Sequence, residues 1–90
     1  MIIDTTGTKF WYQNGKLHQE DGPALEFANG TRFWFLNGKL HREDGPACEF
    51  VDGLKFWFLD GKQVSKQAFL VWSARRLDKH LVTDRGMEEV

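Results

Sequence analysis

Long hydrophobic runs, pairs of cysteines and a large net charge are all missing from this 90-residue sequence. The longest uninterrupted apolar run, Ala68 to Trp72, is far shorter than the roughly 20 residues that cross a bilayer. The single cysteine, Cys48, cannot form an internal disulfide, and the first residues lack the basic and apolar regions of a signal peptide. We therefore expect a cytoplasmic protein without a membrane partner.

The charge balance disfavours nucleic acid as a partner. The chain has 12 Lys and Arg residues and 13 Asp and Glu residues, which gives a formal net charge of −1. It therefore lacks the basic field that attracts nucleic acid and the acidic field that mimics it. Ninety residues, 41% of them hydrophobic and 14% aromatic, suffice for one small core. We therefore expect residues 1–90 to form a single domain.

A 23-residue repeat organises most of the chain. Residues 7–29 align without a gap with residues 30–52, and 16 of the 23 positions are identical. A partial third copy occupies residues 53–64, where the pattern stops. The predicted organisation is completed by a helix over residues 65–82 and a tail at 83–90.

Each repeat carries the signals of a β-hairpin. The dipeptides Asn14-Gly15, Asn37-Gly38 and Asp60-Gly61 favour two-residue type I′ turns, because both central residues of such a turn need a positive φ. The segments between turns are rich in Phe, Trp, Tyr and Thr, and no 3.6-residue apolar period precedes Ser65. The sequence therefore predicts a mainly β fold, an antiparallel meander of repeats with one C-terminal helix packed on one face.

Counting outward from the turns assigns the side chains to two aromatic faces. A two-residue loop at Asn14-Gly15 pairs Tyr12 with Leu17, and one at Asn29-Gly30 would pair Leu25 with Trp34. One predicted face contains Trp11, Trp34, Trp57, His18, His41, Leu25, Cys48, Phe27 and Phe50. The other contains Phe10, Tyr12, Phe33, Phe35, Phe56, Phe58, Leu17, Leu40, Ala24 and Glu26.

An amphipathic helix is predicted to cover the face that contains the tryptophans. Ser65 is suited to cap its N-terminus, and no Gly or Pro follows up to about Val82. One apolar stripe of the helix should pack on the sheet. This stripe contains Leu70, Ala74, Leu77 and Leu81, and Phe69, Val71 and Trp72 widen the apolar face.

The second aromatic face would remain open. An apolar ribbon of this kind is larger than a soluble monomer normally exposes, so we expect a second copy of the chain or a different protein to cover it. The composition leaves a homodimer and a heterologous protein partner both open. The predicted partner-binding residues are Tyr12, Phe33, Phe35, Phe56 and Phe58.

Basic residues of the predicted helix form a second candidate site. Arg75, Arg76 and Lys79 could bind an acidic partner or a phosphate, although such charges more often form a solvated helix face. With an aromatic ring stacked on the base, the same residues could hold a nucleotide ligand. A sponge that sequesters a nucleotide signalling molecule is therefore an alternative function.

The patterns for catalysis and metal binding are weak. His18 and His41 recur at equivalent positions, on strands two apart and therefore about 9–10 Å from each other, which is too far to share a zinc ion. We expect structural roles for both, with hydrogen bonds to the acidic turn that follows each. No nucleophile adjoins a base, and Cys48 fits a small core position. The sequence predicts no enzyme, cofactor or metal site.

The repeat resembles the MORN repeat in its 23-residue length, its Asn-Gly-Lys-Leu-His core and its Asn-Gly-Thr close. It is more similar still to small repeat proteins of phages and large viruses that carry Trp-Tyr-x-Asn-Gly-Lys-x-His-Arg-x-Asp-Gly-Pro-Ala. Many of those finish with Asp-Gly-Lys-x-Val-Ser and a helix, as residues 60–65 do here. The likeness covers residues 7 to about 69.

This resemblance implies a viral origin and a binding role without enzymatic activity, because MORN modules serve as interaction platforms. For a viral protein of this size, it implies an inhibitor of a bacterial defence system that binds a host protein in the host cytoplasm. The nucleotide sponge and an intracellular scaffold of MORN type are the alternatives.

Overall fold

The computed structural model describes the backbone of residues 1–82 and the side chains of residues 1–76. The predicted tail at 83–90 lies outside the described residues. The side chains of Leu77, Lys79 and Leu81, which the sequence placed in the apolar stripe and the basic patch, also lie outside them.

Eleven short strands and one helix, α1 (Lys66–Val82), follow one another in the described residues. This order confirms the predicted mainly β class and the antiparallel meander that ends in one helix. The strands are β1 (Ile2–Ile3), β2 (Lys9–Phe10), β3 (Tyr12–Gln13), β4 (Lys16–Leu17), β5 (Leu25–Glu26), β6 (Arg32–Phe33), β7 (Phe35–Leu36), β8 (Lys39–Leu40), β9 (Cys48–Glu49), β10 (Lys55–Leu59) and β11 (Lys62–Val64).

Seven of these strands form one antiparallel sheet in the order β1-β2-β5-β6-β9-β10-β11, and β3-β4 and β7-β8 form two separate hairpins. Trp11 connects the sheet to the first hairpin. Its N–H donates to the carbonyl of Ala24, and its carbonyl accepts from the N–H of His18, both at 2.9 Å. The hairpins therefore continue the sheet on the far side of each tryptophan.

The hairpin turns have the predicted geometry. Asn37 and Gly38 have φ values of 53° and 80°, and the other two dipeptides are similar. Positive φ at both central residues matches the type I′ turn. Tyr12 pairs with Leu17 and Phe35 with Leu40, which confirms the predicted register within the hairpins.

The register across Asn29-Gly30 differs from the prediction by one residue. Leu25 pairs with Phe33, whereas the sequence predicted Trp34. The loop is one residue longer than expected, because Asn29 does not adopt a positive φ. Instead, its side-chain Oδ1 accepts a hydrogen bond from the N–H of Thr31 at 2.9 Å. Only Gly30 has a positive φ here, of 98°.

This shift of one residue reverses the faces of β5 and β9, the strands that precede the loops at Asn29-Gly30 and Asp52-Gly53, because side chains alternate along a strand. The same correction applies to the second repeat, where Cys48 pairs with Phe56 across the loop at Asp52-Gly53. Four side chains assigned to the tryptophan side lie on the other side, namely Leu25, Phe27, Cys48 and Phe50. Two assigned to the phenylalanine side, Ala24 and Glu26, lie on the tryptophan side.

Cα partners run across the sheet in two rows with opposite chemistry. The apolar row is Ile2, Phe10, Leu25, Phe33, Cys48 and Phe56. The other row is Ile3, Lys9, Glu26, Arg32, Glu49 and Lys55. From Lys9 onward the second row alternates in charge, an arrangement that favours cross-strand pairing on the face exposed to water.

The helix packs on the tryptophan side through a different stripe from the predicted one. Ser65 caps it as expected, since its Oγ accepts from the N–H of Ala68 at 3.0 Å. Phe69 is buried and packs beside Trp72, with ring centroids 5.8 Å apart, whereas Leu70 is 48% exposed. The helix therefore packs through Phe69 and Trp72 of the predicted apolar face, because these aromatic side chains bury more apolar area against the sheet. The predicted packing of Leu70 and Ala74 is wrong, since both are exposed.

Candidate partner-binding face

One side of the sheet and its hairpins forms a continuous apolar surface, which we call the phenylalanine face. Strand alternation places the phenylalanine and tyrosine residues of β2, β3, β6, β7 and β10 on it, and the corrected register adds the apolar residues of β5 and β9 and the phenylalanine that follows each of these strands. Its members are Ile2, Phe10, Tyr12, Leu17, Leu25, Phe27, Phe33, Phe35, Leu40, Cys48, Phe50, Phe56, Phe58 and Gln63. No member carries a charge.

Aromatic rings on this face contact one another edge to face. The centroid of Phe33 is 5.6 Å from that of Phe27 and 5.4 Å from that of Phe50, and Phe50 is 5.8 Å from Phe56. Interplanar angles of 74–87° match the arrangement that the ring quadrupoles favour. This packing holds the rings in place while one side of each remains open to a partner.

The centre of the face is a shallow apolar depression with a volume of about 340 Å³. Cys48 is buried at its floor, and burial raises the pKa of the thiol. A protonated thiol is a poor nucleophile, so Cys48 serves here as a small packing residue. The depression is lined by Phe33, Phe35, Leu40, Cys48, Phe50, Phe56, Phe58 and Gln63.

Four of the five predicted partner-binding residues, Phe33, Phe35, Phe56 and Phe58, come together around this depression. Tyr12 lies on the same face at the outer end, where it stacks on Phe10 with centroids 6.2 Å apart and is 51% exposed. The sequence prediction placed Phe50 on the other side of the sheet, because it assumed a two-residue loop at Asp52-Gly53. The observed loop has three residues, which shifts the strand pairing by one residue. The Asp52-Gly53 dipeptide is also typical of a two-residue turn, so the residues next to Phe50 gave no signal of the three-residue loop.

The tryptophan side has its own charged network, centred on Arg42. Its guanidinium lies 3.8 Å from the centroid of Trp34 and bonds Asp44 at 2.8 Å and Glu49 at 3.1 Å. Arg32 also pairs with Glu49 at 3.1 Å. These opposite charges compensate one another within the chain, so this side does not require a partner to cover it.

Arg76 is the one described member of the predicted basic patch that pairs with a carboxylate. Arg76 pairs with Glu43 at 3.3 Å and lies 4.8 Å from the ring of Trp72. Arg75 is exposed, and the side chain of Lys79 lies outside the described residues. Glu43 therefore neutralises the member of the patch that faces the sheet.

His18 joins the first repeat to the second. Its Nδ1 accepts from the backbone N–H of Asn37 at 2.9 Å, so the ring proton is on Nε2, which contacts Glu20 at 3.2 Å. His41 makes the same two kinds of contact one repeat later, at 2.8 and 2.9 Å. Both histidines thus bond the acidic turn, as predicted, and both stabilise the stacking of successive hairpins.

A pair of substitutions at His18 tests this role. His18→Gln removes the Nδ1 acceptor, because glutamine has a carbon atom at that position. The partly buried N–H of Asn37 then loses its partner, which should lower the free energy of unfolding by about 1–3 kcal/mol. His18→Asn keeps an oxygen at the position of Nδ1 and should cost less. Urea unfolding measures both, and equal losses would contradict the assigned tautomer.

Within the described side chains, no three His, Cys, Asp or Glu residues lie close enough together to hold a metal ion. None of the described helical residues form a segment long and apolar enough to cross a membrane. Comparison of the chain with known protein families, curated proteins and solved structures gives no match.

Proposed function

We propose that this protein acts by binding another protein through the phenylalanine face, without catalysing a reaction. The observation that carries the proposal is the contrast between the two sides of one sheet. The row on the tryptophan side alternates in charge, while every member of the phenylalanine face is uncharged. An uncompensated apolar surface of this extent favours association in water.

The small core supports the same conclusion. Among the described residues, the buried hydrophobic side chains are Ala24, Ala47, Cys48 and Phe69. Most of the aromatic side chains are only partly buried within one copy of the chain. Each 100 Å² of the face that a partner covers would contribute about 2.5 kcal/mol before the costs of association.

The nucleotide sponge receives less support from the geometry. The groove between the repeats and the helix contains Trp34, Arg42 and Arg76, which could in principle stack a base and bind phosphate. Both guanidinium groups are already paired with carboxylates. The groove lining also includes Glu20, Asp21, Glu43 and Asp44, whose charges would repel a phosphate.

We further propose that the partner is a component of a bacterial defence system, which the protein inhibits in the host cytoplasm. This part of the proposal rests on the resemblance of the Asn-Gly-Lys-Leu-His repeats to those of phage proteins. A chain of 90 residues with a flat apolar face would act as an inhibitor by occupying a surface that the target needs for its own assembly.

Carbene footprinting in a bacterial lysate tests the use of this face. Labelling of Phe33, Phe50 and Phe56 should fall in the lysate relative to buffer, while labelling of the exposed Leu70 on the helix should not change. A lysate treated with protease is the control and should restore the labelling. Protection of the helix alone would place the interaction on the other side of the molecule.

A further inference from the structure

Successive repeats join through one set of three hydrogen bonds that occurs twice. At the first junction, Gly38 N–H donates to the carbonyl of Leu17 at 2.8 Å and Asn37 N–H donates to His18 Nδ1. The N–H of Gln19 donates in return to the carbonyl of Phe35 at 3.1 Å. The second junction repeats these bonds at positions 23 residues later, with Gly61, Asp60 and Arg42 as donors.

The first hairpin presents the same three groups with no partner among the described residues. They are the N–H groups of Asn14 and Gly15 and the carbonyl of Tyr12. A Cβ added to Gly38 would lie 3.6 Å from the side chain of Lys16, whereas one added to Gly15 would meet nothing within 4 Å. The outer edge of the first hairpin therefore exposes the same backbone groups that, in the second and third hairpins, bond the preceding repeat.

The end strand β1 extends this uncovered surface into the sheet. Ile2 pairs with Phe10 in the register in which Leu25 pairs with Phe33, 23 residues later. Ile2 is 56% exposed, while Leu25 is only partly exposed. Apolar residues at this end thus remain exposed at positions that the inner repeats cover more fully.

The opposite end of the array has no matching side-chain acceptor. Position 64, equivalent to His18 and His41, is occupied by Val64, whose side chain cannot accept a hydrogen bond, and helix α1 begins two residues later. The acceptors at His18 and His41 are already bonded within the chain. A second copy of this chain therefore offers the first hairpin no free imidazole at the repeat positions 18, 41 and 64, and head-to-tail assembly of identical chains through this junction is disfavoured.

We infer that the edge of the first hairpin, from Tyr12 to Gly15, binds a β-hairpin repeat of a different chain. The partner presents a backbone carbonyl and an imidazole on consecutive residues, as in Leu-His, and a backbone N–H one residue further on. This pattern matches the two junctions of the array and makes the site continuous with an interface already present in the protein. The site uses backbone groups at the edge of the first hairpin, whereas the function proposed above uses the side chains of the phenylalanine face, to which Ile2 and Tyr12 also belong.

A repeat peptide added to the intact chain tests this inference. The probe is a synthetic peptide with the sequence of residues 32–46, which contains Leu40 and His41. Amide NMR signals of Asn14 and Gly15 should shift in a saturable manner, while those of Asn37 and Gly38 should not. The same peptide with His41→Val should bind about tenfold more weakly, the effect of losing about one hydrogen bond.

A second measurement covers the case in which the free peptide does not fold. A duplicate of residues 7–29 inserted between Thr6 and Gly7 places a repeat beside the original first hairpin. Hydrogen exchange at the original Asn14 should then slow to the rate of Asn37, and it should remain fast if the inserted histidine is replaced by valine. Unchanged exchange at Asn14 in both chains would overturn the inference, as would shifts that do not depend on the histidine of the peptide.

Discussion

Replacement of Phe69 by alanine is expected to lower the free energy of unfolding by about 3–5 kcal/mol. Phe69 is only 4% exposed and is the largest side chain among the buried hydrophobic residues described. Its loss leaves a cavity between the helix and the sheet, next to Trp72. Because small domains are stable by only about 5–15 kcal/mol, a loss of this size should shift the thermal transition by many degrees.

Leu70→Ala is the matched control for this substitution. The two residues are neighbours on helix α1, and alanine favours the helix in both, but Leu70 is 48% exposed. Its replacement should change the free energy of unfolding by no more than about 0.5 kcal/mol. Equal losses from the two substitutions in thermal or urea unfolding would mean that the helix packs through the stripe predicted from the sequence.

Phe35→Asp is expected to abolish binding of the partner at the phenylalanine face while the chain remains folded. Phe35 lines the central depression, and its ring is partly exposed in the isolated chain. Covering the new carboxylate with a protein partner would cost several kcal/mol, because an isolated charge would lose its hydration. Circular dichroism measures the folding of the variant, and pull-down and sedimentation measure its association.

Leu36→Asp provides the matched control, since it places the same charge one residue further along β7 on the other side. Leu36 lines the groove that contains Trp34, and its variant should retain association. If Phe35→Asp fails to fold, Tyr12→Asp introduces the charge at the more exposed end of the same face. Association of folded Phe35→Asp and Tyr12→Asp at the level of the original chain would exclude the face as the binding site.

The hairpins show how far local sequence determines this fold. Asn37 and Gly38 tolerate the positive φ that a type I′ turn needs at both central positions. The turn then sets the pairing of Phe35 with Leu40. The capping role of Ser65 is equally local. These features could be predicted because the interactions that decide them span only a few residues.

The partner-binding residues were partly predictable for the same reason. Phe33 and Phe35 are two residues apart in one extended segment, so any register places them on one face. Phe50 was assigned to the wrong side, because its face depends on whether the loop at Asp52-Gly53 has two or three residues. That choice depends on hydrogen bonds such as the one from Val51 N–H to Thr31 Oγ1, which connects residues 20 positions apart.

The sequence by itself determined the repeat, the meander, the hairpin turns and the presence of one C-terminal helix, because periodicity and turn chemistry act over short distances along the chain. The tertiary structure alone decided which stripe of the helix is buried and which aromatic residues share a face. It also decided that Arg76 is paired with Glu43. These outcomes depend on contacts between segments far apart in the chain, where a shift of one residue reverses every side chain of a strand.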